Sequence, residues 1–417
     1  MCLSRWFFEG VLVSSYAQII ILIICIILIT HKRRSDVKDN CHLFLYPIAI
    51  IISLLASGTT GSITLKFAIV CLITIYCIMY DCKIEAFQIG LNIILILAIF
   101  YSLSIIIQFL SGYRFNLFLR NILSDSAYDL AMNYTNLGHY YGIFYAPSDP
   151  AGIIGFSIVS LLFNGLFNKG EIKRKVLILL LLIPLLLTGK KGIIGIVVLS
   201  ATVVIVIQKF ERKQYGKVFS MIALVIILFY LFRILALSHP EFIILQRYND
   251  FFESIAGGES FDSGRSVLIG HAMQFWRNGN QYFGIGWRHF LSYTTNVLHA
   301  KRAHEVNCDY VQFLCEMGIV GLSLMTIMIS INLYRAIKVC VYLSSKKEKN
   351  SESYIGLFCV FIQIFITAYA AVEIPFYDIT FLSIYLITAS IIGKTHEKIV
   401  HAGNINRHYN KVLKGGF

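Results

Sequence analysis

The chain has 417 residues, 57% of them hydrophobic and only 14% charged, with a mean hydropathy of +0.72. A soluble protein of this length divides into two or three domains with far more surface charge, so a water-soluble enzyme is excluded. The net charge of +13 would suit nucleic-acid binding, but in so apolar a chain it points to basic loops beside a membrane.

Apolar runs long enough to cross a bilayer recur along the whole length, and the expected fold is an all-α polytopic integral membrane protein. In chain order, about eleven transmembrane helices are expected near 11–30, 42–57, 62–80, 88–110, 150–167, 176–189, 192–208, 218–236, 311–334, 354–372 and 379–393. This divides the chain into eight spans within 1–236, a large non-cytoplasmic loop over 237–310, three spans within 311–393 and a basic tail over 394–417. The basic connectors are HKRRSDVK (31–38), Lys83, NKGEIKRK (168–175), QKFERKQYGK (208–217), the segment from Arg335 through SSKKEKNSE, and the tail from Lys394. They hold 23 of the 36 Lys and Arg residues and all fall on one side of the eleven-span arrangement. The positive-inside rule makes that side cytoplasmic, with the N-terminus outside and the C-terminus inside. The ten cysteines lie mostly inside spans with no paired spacing, so no disulfide framework is expected.

Two long segments remain on the outer side, 111–149 and 237–310. In the second, a Gly-rich turn leads into a helix with Asp262 or Ser263 as N-cap. Leu268, Ala272, Phe275 and Trp276 form an apolar stripe on it, which would lie on the membrane surface or against the tops of the spans.

Several clusters carry chemistry or a plainer explanation. Lys190 and Lys191 in LLTGKKGIIG lie at an outer span end, either as a snorkelling pair or as an anion clamp for a phosphate headgroup. Gly189 and Gly192 would let such a headgroup approach the backbone. Arg265 stands in the first turn of its helix, where the macrodipole disfavours a cation, so an anion should compensate it: Glu259, Asp262 or a ligand phosphate. The Gly284-Ile285-Gly286 triplet lacks the strand-to-helix context of a nucleotide site. His304-Glu305-Val306-Asn307-Cys308 imitates a zinc-protease motif but has Cys where the second His belongs, and no metal site is assigned. If the ninth span begins above the bilayer, His304, Asn307, Cys308 and Val311 share one helix face; the plainer reading makes Asn307 or Asp309 a helix cap. Glu373, in the turn AAVEIPFYD with Asp378, is either interfacial decoration or a ligand for sugar hydroxyls.

The stretch NCDYVQFLCEMGIVGL (307–322) resembles the segment after the large periplasmic loop in the superfamily of O-antigen polymerases (Wzy type) and O-antigen ligases. Gly318 and Gly321 match the family's two glycines, and Asn307 stands where the ligases carry His. YAPSDPAGIIGF (145–156), LTGKKG with Lys191 in the family's Arg place, and SGRSVLIGHAMQFWRNGNQYFGIGW follow in the family's order, so the resemblance covers roughly 145–322. It implies glycan transfer from undecaprenyl diphosphate to a sugar hydroxyl in the cytoplasmic (inner) membrane, with no cofactor, metal or nucleotide sugar. The implied partners are the undecaprenyl-diphosphate-linked oligosaccharide, membrane lipid, a chain-length regulator and a flippase, with no nucleic acid. The implied catalytic residues are Arg265, His304, Glu305 and Asn307, and the implied substrate-binding residues Lys190, Lys191, Arg288, Arg302 and Asp309. The missing ligase His favours a polymerase over a ligase acting on lipid A-core. A polysaccharide flippase would show two-half symmetry and charges within its spans, neither of which this sequence has; a structural or sensory membrane protein would leave the loop charges without a role.

Reporter fusions after Lys175, Lys217 and Lys347 are expected to report cytoplasm, and a fusion within 250–300 the opposite side. A cytoplasmic signal from 250–300 would overturn the topology and the outer-face chemistry together.

Overall fold

A chain that crosses hydrocarbon must pair its own backbone groups, and helices do this within one segment. The computed structural model describes residues 38–58, 64–79, 84–121, 123, 125–144, 147–163, 171–239, 245–246, 248–249, 253, 265–296, 305–346 and 351–414. These form a 3-10 helix over Lys38–Phe44, then α1 (Leu45–Ser57), α2 (Thr64–Met79), α3 (Ile84–Ser111), α4 (Tyr113–Arg120), α5 (Asp125–Asn136), α6 (Ser148–Phe163) and α7 (Glu171–Leu187). There follow α8 (Lys191–Glu211), α9 (Tyr215–Ser238), α10 (Arg265–Asn278), α11 (Phe290–Asn296), α12 (Asp309–Ser345), α13 (Ser351–Tyr369) and α14 (Ile379–Lys414). No strand occurs among the described residues.

Six helical segments among the described residues are long and apolar enough to cross a membrane: Asn40–Ser57, Phe87–Ser111, Lys191–Glu211, Asp309–Ser345, Glu352–Tyr369 and Ile379–His401. Lys66–Met79 and Pro150–Phe163 are shorter apolar helices at two further expected spans, and α7 and α9 occupy the positions of two more. The expected span at 11–30 lies outside the described residues. The chain is thus a multi-pass, all-α membrane protein.

Its contacts divide it into two units. One holds 84–262 with the first 28 residues, the other 29–83 with 263–417. In the first unit α3 packs on α6 and α7, and α6 on α7 and α8. Segment 111–149, expected only as a long non-cytoplasmic segment between spans, contains α4 and α5. Gln108 at the end of α3 holds them: its amide donates to Asn116 Oδ1 at 2.9 Å, and its oxygen accepts from the Tyr141 and Gly142 N–H groups at 2.8 and 2.9 Å. Asn116 in turn donates to Thr135 Oγ1 at 3.3 Å. One amide side chain thereby gathers two short helices and the stretch of chain behind them.

The second unit is built around α12, which contacts α1, α10, α13 and α14. Its α10 packs against α12, as one of the two sequence expectations has it, but the buried stripe is rotated. Ala272 is buried with Phe290, Val306 and Cys315, and the half-buried Ile269 and Phe275 pack on that cluster in place of Leu268 and Trp276, which are half-buried as well. Trp276 instead donates its indole N–H to Gln281 O at 3.0 Å. The expected caps Asp262 and Ser263 lie outside the described residues.

α12 is broken at Gly318, whose φ of 66° and ψ of −170° are far from helical. The break leaves carbonyls before it and N–H groups after it without intrahelical partners, at a cost of several kcal/mol each in hydrocarbon. Loop 281–286 meets two of each. Ile285 and Gly286 donate to Cys315 O and Glu316 O, each at 3.0 Å, while Ile319 and Val320 donate to Gln281 O and Tyr282 O at 3.0 and 3.1 Å. The two backbones approach so closely that a Cβ at Gly318 would stand 2.2 Å from Tyr282 O, and one at Gly284 2.3 Å from Glu316 O. Both positions also have positive φ. Glycine is required twice at one crossing.

Gly318→Ala and Gly284→Ala are each expected to destabilise the protein by about 2 kcal/mol or more, from left-handed strain plus backbone overlap. Gly195→Ala, where a Cβ meets nothing within 4 Å, should be close to neutral. Thermal unfolding in detergent micelles compares the three; equal midpoints would remove the crossing from the stability of the fold.

Candidate functional site

The head of α12 is assembled from three separate stretches of the second unit. Asn307 has a positive φ of 56°, and Cys308 is extended and caps α12 without a side-chain bond, so the helix begins at Asp309. This corrects two expectations. Asn307 and Cys308 do not continue a helix face to Val311, and neither Asn307 nor Asp309 caps the helix through its side chain. The positive φ at Asn307 turns the chain before the helix can extend backwards.

Asp309, fully buried, faces the turn 370–378 instead. Its N–H donates to Ala370 O at 2.8 Å and to Glu373 O at 3.2 Å, and its Oδ2 accepts from the Phe376 N–H at 2.9 Å. One turn on, Gln312 accepts from the Val306 N–H and donates to Glu316 Oε1, both at 3.3 Å. Glu316 is also fully buried, and its carboxylate accepts from the Arg288 N–H at 2.7 Å and the Phe290 N–H at 3.1 Å.

Arg288 has a left-handed backbone, with φ of 62°. Its guanidinium lies over the rings of Trp287 and Tyr377, 5.4 and 5.8 Å from their centroids, and donates to Tyr377 O. Its buried Nε has no hydrogen-bond partner. Trp287 is stacked against Tyr377, and Tyr46 of α1 donates to Phe376 O at 2.8 Å. Burial first, and the Glu316 charge second, push the Tyr377 phenol well above its ordinary range, so it stays protonated.

Arg265 reaches the same turn from α10, its Nη2 3.0 Å from Glu373 Oε1. Glu373 is thus an anion that compensates it; the expected Glu259 and Asp262 lie outside the described residues. The pair is open to solvent, with side chains 36% and 20% exposed. Asp378 acts locally, its Oδ1 accepting from the Thr380 and Phe381 N–H groups at 2.7 and 3.2 Å to cap α14. Thus Arg265, Arg288 and Asp309, far apart in sequence, converge on one nine-residue turn.

The remaining candidates are distributed elsewhere. Arg302 and His304 lie outside the described residues, and Glu305 is half-buried at their border. Lys190 and Lys191 belong to the first unit, as the N-cap and the first residue of α8. Their ammonium groups lie over the Tyr134 and Tyr248 rings, 5.8 and 5.5 Å from the centroids. The backbone beside Gly189 is not open to a headgroup, because a Cβ there would stand 2.6 Å from His139 Nδ1. That nitrogen is 2.7 Å from Thr188 O, so the imidazole closes the turn.

Sequence reading missed Glu316, Trp287, Tyr377 and Tyr46. For Glu316 the signal was present: a carboxylate inside an expected apolar span needs partners. No protein-family model and no curated protein matches this chain.

The Arg265–Glu373 pair is expected to contribute little to stability, with a coupling of about 0.2–1 kcal/mol, because both groups are screened by solvent. Asp309→Ala should cost more, about 1–3 kcal/mol, since it leaves the buried Phe376 N–H without an acceptor. A double-mutant cycle on thermal unfolding gives the first number and the single variant the second; the opposite ranking would mean that the ion pair, and not Asp309, holds the turn.

Proposed function

We propose that this protein polymerises undecaprenyl-diphosphate-linked oligosaccharide repeat units into O-antigen or capsular polysaccharide, on the outer face of the cytoplasmic membrane. In this reading the chain crosses eleven times, with 237–310 outside and the basic tail inside. The observation that carries it is the convergence of Arg265, Arg288 and Asp309 on the turn 370–378, at the head of the span whose glycines match the family's motif.

The chemistry needs little more than charge and position. The bond from the sugar's anomeric carbon to the diphosphate oxygen breaks, and its electron pair leaves with the diphosphate. A hydroxyl oxygen of the acceptor sugar forms the new bond and gives up its proton to a base. Diphosphate is a good leaving group, so the protein has mainly to place cations where charge grows. Guanidinium groups pair with phosphate oxygens in a bidentate way, which suits Arg265 and Arg288, both bonded to the turn 370–378. Arg302 adds a further cationic contact to the lipid diphosphate in this reading. His304 is the proposed base, because an ordinary imidazole pKa of about 6.5 suits neutral pH better than a carboxylate near 4. Asn307 cannot take a proton there and orients the acceptor, while Glu305 is the alternative base.

Deletion of the gene should leave surface glycan with a single repeat unit on its core, seen by gel electrophoresis; a core with no repeat would identify a ligase instead. Arg265→Ala should abolish polymerisation while the protein still accumulates in membranes, and Arg265→Lys should restore little. Normal-length glycan from Arg265→Ala would remove it from the site. His304→Ala should lose most polymerisation, Asn307→Ala less, and Glu305→Gln an intermediate share. Full activity of His304→Ala beside an inactive Glu305→Gln would move the base to the carboxylate.

A further inference from the structure

We infer that Glu316 is a positioning residue that sets the Arg288 guanidinium for a diphosphate; this rests on the reading of Arg288 as a phosphate ligand. Glu316 holds the Arg288 loop at alternate residues. Its carbonyl takes the Gly286 N–H at 3.0 Å, and its carboxylate takes the N–H groups of Arg288 at 2.7 Å and Phe290 at 3.1 Å. The loop is thereby clamped on both sides of the arginine. A carboxylate can accept from several donors at once, which an amide in the same place cannot do without turning its own N–H₂ toward one of them.

The clamped conformation is a costly one. At φ of 62° a residue with a side chain is strained, and such strain persists only where the surroundings over-determine it. Glycine would relieve it, yet the position carries a long cation. What the strain achieves is the direction of that cation. The side chain lies across the Trp287 and Tyr377 rings with Nη2 on Tyr377 O, so the guanidinium is anchored at one nitrogen, while its buried Nε has no partner. The half-buried group retains N–H donors for a phosphate oxygen. Glu316 does not bind the substrate itself, since it is fully buried and would repel an anion. Fold maintenance alone would be served more cheaply by neutral side chains, because a buried carboxylate carries a desolvation cost that neutral groups avoid.

The test uses the full chain in detergent micelles, titrated with undecaprenyl diphosphate by thermophoresis, with inorganic pyrophosphate as competitor and thermal unfolding measured in parallel. Arg288→Ala is expected to weaken binding about tenfold or more, the loss of a charged hydrogen-bonding group. Glu316→Gln should weaken it by a similar factor, and the double variant should bind no more weakly than Arg288→Ala alone. That lack of additivity separates positioning from a merely structural role, which would lower stability and add to the loss. If Glu316→Gln does not accumulate as folded protein, Glu316→Asp is read in its place on the same cycle. Wild-type binding by the Glu316 variant, or fully additive losses, would overturn the inference and leave Arg288 as a ligand. Wild-type binding by Arg288→Ala would overturn both it and the reading beneath it. Displacement by pyrophosphate shows that the diphosphate is what Arg288 recognises; binding that pyrophosphate leaves unchanged assigns it to the polyprenyl chain and overturns the inference.

Discussion

An α-helix interrupted within a membrane exposes carbonyl oxygens and N–H groups that hydrocarbon cannot satisfy. In α12 the interruption at Gly318 is closed by four backbone hydrogen bonds from loop 281–286, two in each direction. The pairing works because neither backbone carries a side chain where they cross, at Gly284 and Gly318. Once it forms, the loop that follows has nowhere else to go. Trp287, Arg288 and Phe290 must emerge beside the first turns of α12, where the side chains of Glu316, Gln312 and Asp309 require donors.

That crossing also explains why so many polar groups can be buried at one end of a membrane helix. Isolated carboxylates there would cost several kcal/mol each. Asp309 and Glu316 instead accept backbone N–H groups from the turn 370–378 and from loop 286–290. Each carboxylate is thus used as a fastener between segments distant in sequence. The arginines are the product of that fastening: Arg265 and Arg288 reach the same turn from α10 and from the loop, one open to solvent and one lying over aromatic rings.

The first unit solves its own problem in a similar way. Gln108, fully buried at the end of α3, accepts the N–H groups of Tyr141 and Gly142 and holds the Asn116 side chain of α4, which in turn bonds Thr135 of α5. Further along the same unit, the turn with Lys190 and Lys191 is closed by the His139 imidazole and faced by tyrosine rings. Ring faces favour cations, so these ammonium groups sit near a membrane boundary with part of their charge already accommodated.

The apolar periodicity and the absence of charge within the runs were enough to fix the helical, membrane-crossing character, because hydrocarbon admits little else. Gly318 was legible only together with Gly321, through the family resemblance and not as a break in a helix, and Arg265 was legible as a cation in need of an anion. Its partner was not: Glu373 lies 108 residues away, and only the packing of α10 and the turn before α14 brings the two within 3.0 Å. Likewise a sequence shows that Glu316 interrupts an apolar run, but not that its donors are the N–H groups of residues 288 and 290. Backbone donors carry no signature in residue type. Which of them a buried carboxylate meets is decided by where the helix breaks and which loop fills the break, and that is a property of the tertiary structure alone.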